Sequence, residues 1–172
     1  MHATPQSSAH SRHIPGRSFR EAEIIHSRWA MLGAAGVIAV ELFGFGDWVS
    51  AQTAVPTTWF GIESPLDLKT NVAIFALAMA YAESSRQGQS DPMKRLYPGG
   101  AFDPMGMSKN ATTFAELQTK EIKNGRLAMV AFAGFIGQWY STGATPLANL
   151  GAHLADPFHN TVATNAIALP FI

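Results

Sequence analysis

The chain has 172 residues, no cysteine, and 12 basic side chains against 12 acidic ones, so its formal net charge is zero with histidine neutral. Charged residues make up 14% and hydrophobic residues 47%, against roughly 25% charged in an ordinary soluble domain. One domain's worth of chain is present. A disulfide framework, a zinc–thiolate site and a thiol nucleophile are excluded, and the lack of a basic field argues against a nucleic-acid partner.

The first twenty residues hold three His, three Arg and no acid. Residues 1–19 therefore read as a basic disordered arm or the remnant of a transit peptide. From residue 20 on, a single domain is expected. Its first helix opens on the charged stretch from Arg20 and runs into an apolar block; between Trp29 and Phe60 the only ionisable side chains are Glu41 and Asp47. Gly44, Gly46 and the stretch from Pro56 to Pro65 break the chain. A second apolar helix is expected over about Asp67 to Ser85, with no charge between Asn71 and Ala82. The loop from Tyr97, YPGGAFDPMG, breaks the chain again. A third helix runs from about Phe114 to Tyr140, and a short amphipathic segment, Leu147 to Ala155, lies between Pro146 and Pro157. Glu41 and Trp48 read as anchors at a membrane interface.

Each uninterrupted apolar block is shorter than the ~20 residues that span a bilayer. With their amphipathic entries, the first and third helices are long enough to span with tilt. Basic residues are sorted by loop. Arg12, Arg17 and Arg20 precede the first block, and Arg86, Lys94, Arg95, Lys109, Lys120 and Lys123 lie between the second and third. Nothing basic follows Arg126. That distribution predicts an all-α membrane protein of three spans with its N-terminus on the basic side.

An internal repeat is the strongest feature. EIIHSRWAM from Glu23 and EIKNGRLAM from Glu121 lie 98 residues apart and agree at five of nine positions. In each copy the Arg follows the Glu by five residues, about 140° around the helix, so no good intrahelical pair forms. Two crossing helices related by a pseudo-two-fold axis solve this reciprocally, Glu23 with Arg126 and Glu121 with Arg28. Small residues Ala30, Gly33 and Gly36 on one helix, and Ala128, Ala131 and Gly134 on the other, are expected to allow close approach.

His26 and Asn124 take equivalent places in the two copies. Gln138 returns to within about 40° of the Asn124 face some ~21 Å further along. Glu83, with Arg86 to neutralise it, ends the second block, and His153 sits in the short C-terminal segment. Glu23, His26, Glu83, Glu121, Asn124, Gln138 and His153 are all oxygen or imidazole donors, scattered singly. A bare metal ion needs several ligands at one point, whereas a magnesium already held by a tetrapyrrole needs one axial donor. Bland readings are open too: structural ion pairs, a satisfied buried histidine at His26, interhelical hydrogen bonds at Asn124 and Gln138, and a surface pair at Glu83–Arg86.

EIIHSRWAMLG from Glu23, YPGGAFDPMG from Tyr97, KEIKNGRLAM from Lys120 and AHLADP from Ala152 together resemble the chlorophyll a/b-binding light-harvesting proteins of green chloroplasts. The wording around Lys120 and the closing LPFI from Leu169 look most like the photosystem I antenna branch. The resemblance covers about Arg20 to the C-terminus. It implies a pigment-binding domain over residues 20–172 and no enzyme activity. Glu23, His26, Glu83, Glu121, Asn124, Gln138 and His153 would be axial ligands to chlorophyll magnesium, with Arg28, Arg126 and Arg86 as supporting counter-ions. Lys123 would meet the phosphate of phosphatidylglycerol, and Phe102, Asp103 and Pro104 a carotenoid end group. The implied cofactors are chlorophyll a, chlorophyll b or another accessory chlorophyll, and carotenoids of the lutein, violaxanthin or β-carotene type. The implied partners are the photosystem I core, neighbouring antenna proteins and thylakoid lipids, with no nucleic acid and no small-molecule substrate. The implied place is the chloroplast thylakoid membrane, N-terminus stromal and C-terminus lumenal.

The chain departs from that pattern in three places. No earlier copy of the FDPMG type precedes Glu23. Phe75 stands eight residues before Glu83, where relatives often carry Gln or Glu, and the N-terminal aromatic motif linked to trimers is absent, which favours a monomer or heterodimer. His26, in place of an asparagine, implies no strongly red-shifted chlorophyll. Two rival functions are a photoprotective, energy-dissipating member of the same superfamily and an intramembrane ion transporter. The thin acidity of the lumenal loops speaks against the first, and a reciprocally neutralised Glu–Arg pair against the second.

Overall fold

A computed structural model describes residues 15–53, 58–59 and 62–164. The chain is predominantly helical: α1 Pro15–Leu42, α2 Leu68–Gln87, α3 Pro92–Leu96, α4 Ala111–Thr142 and α5 Pro146–Ala155, with short 3-10 turns at Ser50–Gln52, Gly100–Phe102 and Met107–Lys109. A two-residue hairpin pairs β1 (Thr58–Trp59) antiparallel with β2 (Ile62–Glu63). The expected basic arm lies outside the described residues up to residue 14, as does the closing stretch from Leu169. Residues 15–19, read from sequence as the end of that arm, belong to α1.

Local chemistry sets the helix ends. The Asn110 side chain accepts from the Thr112 amide to open α4, and Gly143, at φ +68°, closes it with its N–H on the Trp139 carbonyl at 2.8 Å. Only glycine takes that left-handed turn without strain. Thr145 caps α5 through the Ala148 amide, with Pro146 at the first helical position, where its missing N–H costs nothing.

α1 and α4 cross, and α5 lies against both. The point of closest approach is Ser27 against Gly125. Ser27 is fully buried, and a Cβ built on Gly125 would stand 2.3 Å from the Ser27 Cβ. These two residues are equivalent in the repeat, so the pseudo-two-fold relation brings one sequence position against itself. Two hydroxymethyl groups do not fit there, and one copy is glycine. The stripe of small residues expected to allow the approach plays a lesser part. A Cβ on Gly33 would meet the Phe132 ring at 3.1 Å, but Gly36 and Gly134 have open space around them. The helices have already diverged at that level.

Very little apolar surface is buried among the described residues. Only Ile24, Val37 and Leu96 form a hydrophobic core. Among the described residues α2 packs extensively along no other element, and Val72, Ile74, Phe75, Leu77 and Tyr81 on it are each more than half exposed. Its ends are tied by polar contacts. Arg86 pairs with Glu21 of α1, which also meets Arg95 of α3 at 3.3 Å, and Asn71 donates to the Ser64 hydroxyl and the Leu66 carbonyl, both at 3.0 Å.

No helix among the described residues is long and apolar enough to cross a membrane. Glu21, Glu23 and Arg28 in α1, and Glu116, Lys120, Glu121, Lys123 and Arg126 in α4, interrupt the apolar windows, and the apolar run of α2 is shortened by Lys69, Thr70 and Asn71 at one end and the polar stretch from Glu83 to Gln87 at the other.

Placing a methyl group at the crossing tests this packing. Gly125→Ala is expected to cost about 1–3 kcal/mol, as overpacking does. The exchange Ser27→Gly with Gly125→Ser moves the same hydroxymethyl across the pseudo-axis. Thermal melting followed by circular dichroism should show the double variant close to wild type and Gly125→Ala well below it.

Candidate functional site

Both expected reciprocal pairs form. Arg126 Nε donates to Glu23 Oε1 at 2.6 Å, and Arg28 Nε donates to Glu121 Oε1 at 2.7 Å. Two oppositely charged pairs flank the Ser27–Gly125 contact, so each helix contributes one cation and one anion.

Their surroundings differ. Glu121 Oε2 accepts from the Tyr97 hydroxyl at 2.9 Å. Arg28 also donates to the Leu96 carbonyl at 2.9 Å and lies over the Tyr97 ring, 5.2 Å from its centroid. Burial, then the hydrogen bond to Glu121, push the Tyr97 phenol up to about 12. The phenol therefore keeps its proton and remains the donor. On the other side Glu23 has a second oxygen with no hydrogen-bond partner among the described residues, and Arg126 is 63% exposed against 35% for Arg28. The loop that starts at Tyr97 covers one pair and leaves its twin open.

The donors predicted from sequence are distributed around this crossing. His26 Nδ1 lies 2.7 Å from the Ala22 carbonyl, four residues back. A carbonyl only accepts, so in the neutral ring Nδ1 carries the proton and Nε2 keeps its lone pair. Asn124, at the equivalent place, donates from Nδ2 to the Lys120 carbonyl at 2.9 Å, again four residues back. Its Oδ1 is left free to accept. Both residues are exposed. Neither the buried histidine nor the interhelical hydrogen bond open at the sequence level is what forms.

His153 is built in the same way by another partner, its Nδ1 standing 2.7 Å from the Asn160 carbonyl. Glu83 accepts a fork from Arg86, 2.8 Å to Oε2 and 2.5 Å to Oε1, and Oε1 also accepts from Gln87. An ionised carboxylate has about four acceptor sites, so Oε2 of Glu83 retains one. Gln138 is exposed, and its side-chain amide makes no hydrogen bond among the described residues. Lys123 is exposed and in no ion pair among them. The donors do not converge: no three His, Asp or Glu side chains among the described residues share one metal position.

Glu23 and His26 line one broad open groove of about 650 Å³, with Phe19, Arg20, Ala22 and Met129. The FDPMG loop is tied up locally. Asp103 accepts from the Met107 amide at 2.9 Å, the Ser108 amide at 2.9 Å and the Ser108 hydroxyl at 2.5 Å. The Ser108 hydroxyl, then its amide, hold the Asp103 carboxyl below the usual range. Phe102 beside it is 84% exposed. Asp103 thus shapes the loop, and Phe102 presents its apolar side.

Sequence reasoning missed three elements. Tyr97 completes the Glu121 site, and Glu21 joins α1 to α2 and α3. Glu41, read as an interface anchor, instead holds α5: its carboxylate accepts from the Leu147 and Ala148 amides, each at 3.0 Å, and from the Thr145 hydroxyl. A negative charge at a helix N-terminus is favourable. A signal existed, since Glu41 is a lone carboxylate in an apolar stretch and Thr145–Pro146 marks a helix start with free amides.

The crossed helix pair is thus joined by reciprocal charges and carries single, separately oriented nitrogen and oxygen donors. By sequence comparison, the profile described as Chlorophyll A-B binding protein matches residues 15–140, and the chain belongs to that family, a class of chlorophyll-binding antenna proteins and not of enzymes. It is 52% identical over 151 residues to Chlorophyll a-b binding protein 1B-21, chloroplastic, of Hordeum vulgare (84% of this chain, 62% of that protein). It is 48% identical over 160 residues to Chlorophyll a-b binding protein 6, chloroplastic, of Arabidopsis thaliana (89% and 66%). A third relative, Photosystem I chlorophyll a/b-binding protein 3-1, chloroplastic, of Arabidopsis thaliana, is 39% identical over 179 aligned positions (88% and 66%). The chain thus spans 62% to 66% of the length of these relatives. The first two names specify no photosystem, and the third names photosystem I.

Two outcomes follow from this geometry. Arg28→Ala should destabilise the fold more than Arg126→Ala, by about 1 kcal/mol for the added Leu96 hydrogen bond, read from paired thermal melts. The Asp103 loop should respond to acid. A depressed carboxyl contributes stability above its unfolded value of about 3.9, and that stability is lost as pH falls through the lower folded value. Hydrogen exchange should therefore show protection of the Met107 and Ser108 amides at neutral pH, disappearing only below the ordinary carboxylate range. Asp103→Ala should lack it throughout.

Proposed function

We propose that this chain is a light-harvesting antenna protein of the thylakoid membrane, which holds chlorophylls and carotenoids and passes excitation energy to a photosystem, photosystem I. The observation that carries this reading is the matched pair His26 and Asn124, each tied to the carbonyl four residues back with one acceptor turned outward from an exposed helix face. Magnesium is a hard cation that takes nitrogen and oxygen donors. A hydrogen bond from the other ring nitrogen that fixes a ligating histidine is the usual support for such a site.

In this reading α1, α2 and α4 span the bilayer, with α1 and α4 crossing and α5 lying near the far surface. Residues 20–172 form one pigment-binding domain, the N-terminus is stromal and the C-terminus lumenal. The apolar side chains exposed on α2 and along the crossing pair then face lipid and pigment. Glu23, His26, Glu83, Glu121, Asn124, Gln138 and His153 each hold one chlorophyll magnesium. Glu23 and Glu121 combine ligation with charge pairing, because each carboxylate keeps acceptor capacity beyond its arginine bond. Lys123 meets the phosphate of phosphatidylglycerol, and Phe102, Asp103 and Pro104 seat a carotenoid end group.

Bound chlorophylls supply absorption and the dipolar coupling that moves excitation between neighbours. The residues of the chain fix where each macrocycle sits and how it is turned, and the two ion pairs keep α1 and α4 from shifting. Photosystem I is favoured by the wording around Lys120 and by the printed name of one relative. Chlorophyll a, chlorophyll b or another accessory chlorophyll, and partners among neighbouring antenna proteins, follow from the family likeness and from the relatives' chloroplastic names.

An absorption spectrum of the detergent-solubilised protein, followed by solvent extraction and chromatography, tests the reading. Several chlorophylls and carotenoids per chain are expected, and Asn124→Ala should lose one chlorophyll while keeping its helical circular dichroism. A colourless, folded, helical protein would overturn it. Co-migration of the native complex with photosystem I on a density gradient is expected, and co-migration with photosystem II would overturn the choice of photosystem.

A further inference from the structure

The turn after α5 orients two imidazoles, and the family pattern accounts for only one of them. His153 is held by the Asn160 carbonyl. Asn160 is itself fixed, its amide on the Asp156 carbonyl at 3.1 Å and its side chain on the Ala152 carbonyl at 3.0 Å. The second ring is His159. Its Nδ1 stands 2.9 Å from both oxygens of Asp156, and its backbone amide reaches Asp156 Oδ1 at 3.3 Å. The His159 carbonyl accepts from the Thr164 hydroxyl, which also bonds Thr161, so the backbone is fastened on both sides.

We infer that His159 is a further axial-ligand site for the magnesium of a chlorophyll-type macrocycle, with Asp156 as its positioning residue. The inference rests on the antenna reading above. An ionised carboxylate has no proton to give, so in the neutral ring His159 Nδ1 is the donor and Nε2 carries the lone pair. The ring is 83% exposed, and its free nitrogen is reachable. A carboxylate behind a histidine fixes the tautomer, restrains the ring and raises its basicity toward a metal.

Two observations specify the ligand. Among the described residues no three His, Asp or Glu side chains come together, so a bare divalent ion would find one nitrogen and no cage. A magnesium whose other positions are filled by a macrocycle needs only that one donor. The flanking side chains also suit a large flat apolar ligand: Leu154 is 70%, Phe158 85% and Val162 69% exposed.

The test uses the full chain refolded with a chlorophyll and carotenoid extract in detergent. Pigment per protein is counted by extraction and chromatography, and variants are compared by red-region difference absorption. His159→Phe, which keeps apolar bulk and removes the donor, should carry one chlorophyll fewer per chain and lose one discrete band. His159→Gln, which keeps an oxygen donor, should retain the count. Asp156→Ala should release the same chlorophyll at least about tenfold more readily on detergent dilution, the usual size of losing the group that holds a ligating histidine. An unchanged count and spectrum in His159→Phe, with wild type fully pigmented, would overturn the inference and leave the antenna reading standing. Equal losses in His159→Phe and His159→Gln would also overturn it, by making His159 a purely structural part of the turn. A colourless wild type would overturn both readings together.

Discussion

The contact of Ser27 with Gly125, flanked by the Glu23–Arg126 and Glu121–Arg28 pairs, is the constraint on which the other elements depend. A sequence position meeting its own repeat across a pseudo-axis leaves room for one side chain, not two. Once glycine is placed on α4, the helices approach closely enough at that level for each glutamate to reach the arginine of the other chain segment. The charges then fix what the small residue permits: sliding one helix along the other would separate two ion pairs at once.

The symmetry is functional only to the extent that it is broken. Tyr97 reaches Glu121 and stacks against Arg28, and Leu96 accepts from Arg28, so α3 and the loop behind it close one end of the crossing. Glu23 keeps an oxygen with no hydrogen-bond partner among the described residues, and lines an open groove with His26. Duplication of one helix therefore yields two sites of the same charge and different access. On the antenna reading, that difference alone gives two glutamate-bound chlorophylls distinct surroundings from nearly identical ligand segments.

The repeat made the reciprocal pairs legible, because an Arg five residues after a Glu has no partner on its own helix and the same misfit occurs twice. Helix ends were legible to within a few residues, about Phe114 to Tyr140 standing where α4 runs from Ala111 to Thr142; the caps at Asn110, Thr145 and Gly143 were not singled out. The small-residue stripe was misleading. Ala30, Gly33 and Gly36 recur at helical spacing, yet spacing says nothing about where along that stripe two helices come closest. Tyr97, Glu21 and Glu41 escaped for a related reason: each is a lone residue acting on distant segments, and a lone residue leaves no period in a sequence. Glu41 was the nearest to recovery, since a lone carboxylate and a helix start with free amides are complementary wherever they meet.

The scarcity of buried side chains gives the local wiring of the donors its meaning. With Ile24, Val37 and Leu96 as the apolar core among the described residues, side-chain packing has little capacity to hold a ligand at a fixed angle. His26 and Asn124 are aimed by carbonyls of their own helix, His153 by a carbonyl of the following turn, and Glu83 by an arginine three residues on. Each orientation is thus set by covalently near neighbours, and survives whatever freedom α2 or the loops retain. A scaffold whose large apolar faces are to be covered by bound macrocycles needs this order of events, because its donors must already point correctly before the groups that complete its core arrive. On the antenna reading, exposed apolar helices and locally pinned donors are two sides of one design, in which the backbone supplies direction and the bound pigments supply the packing.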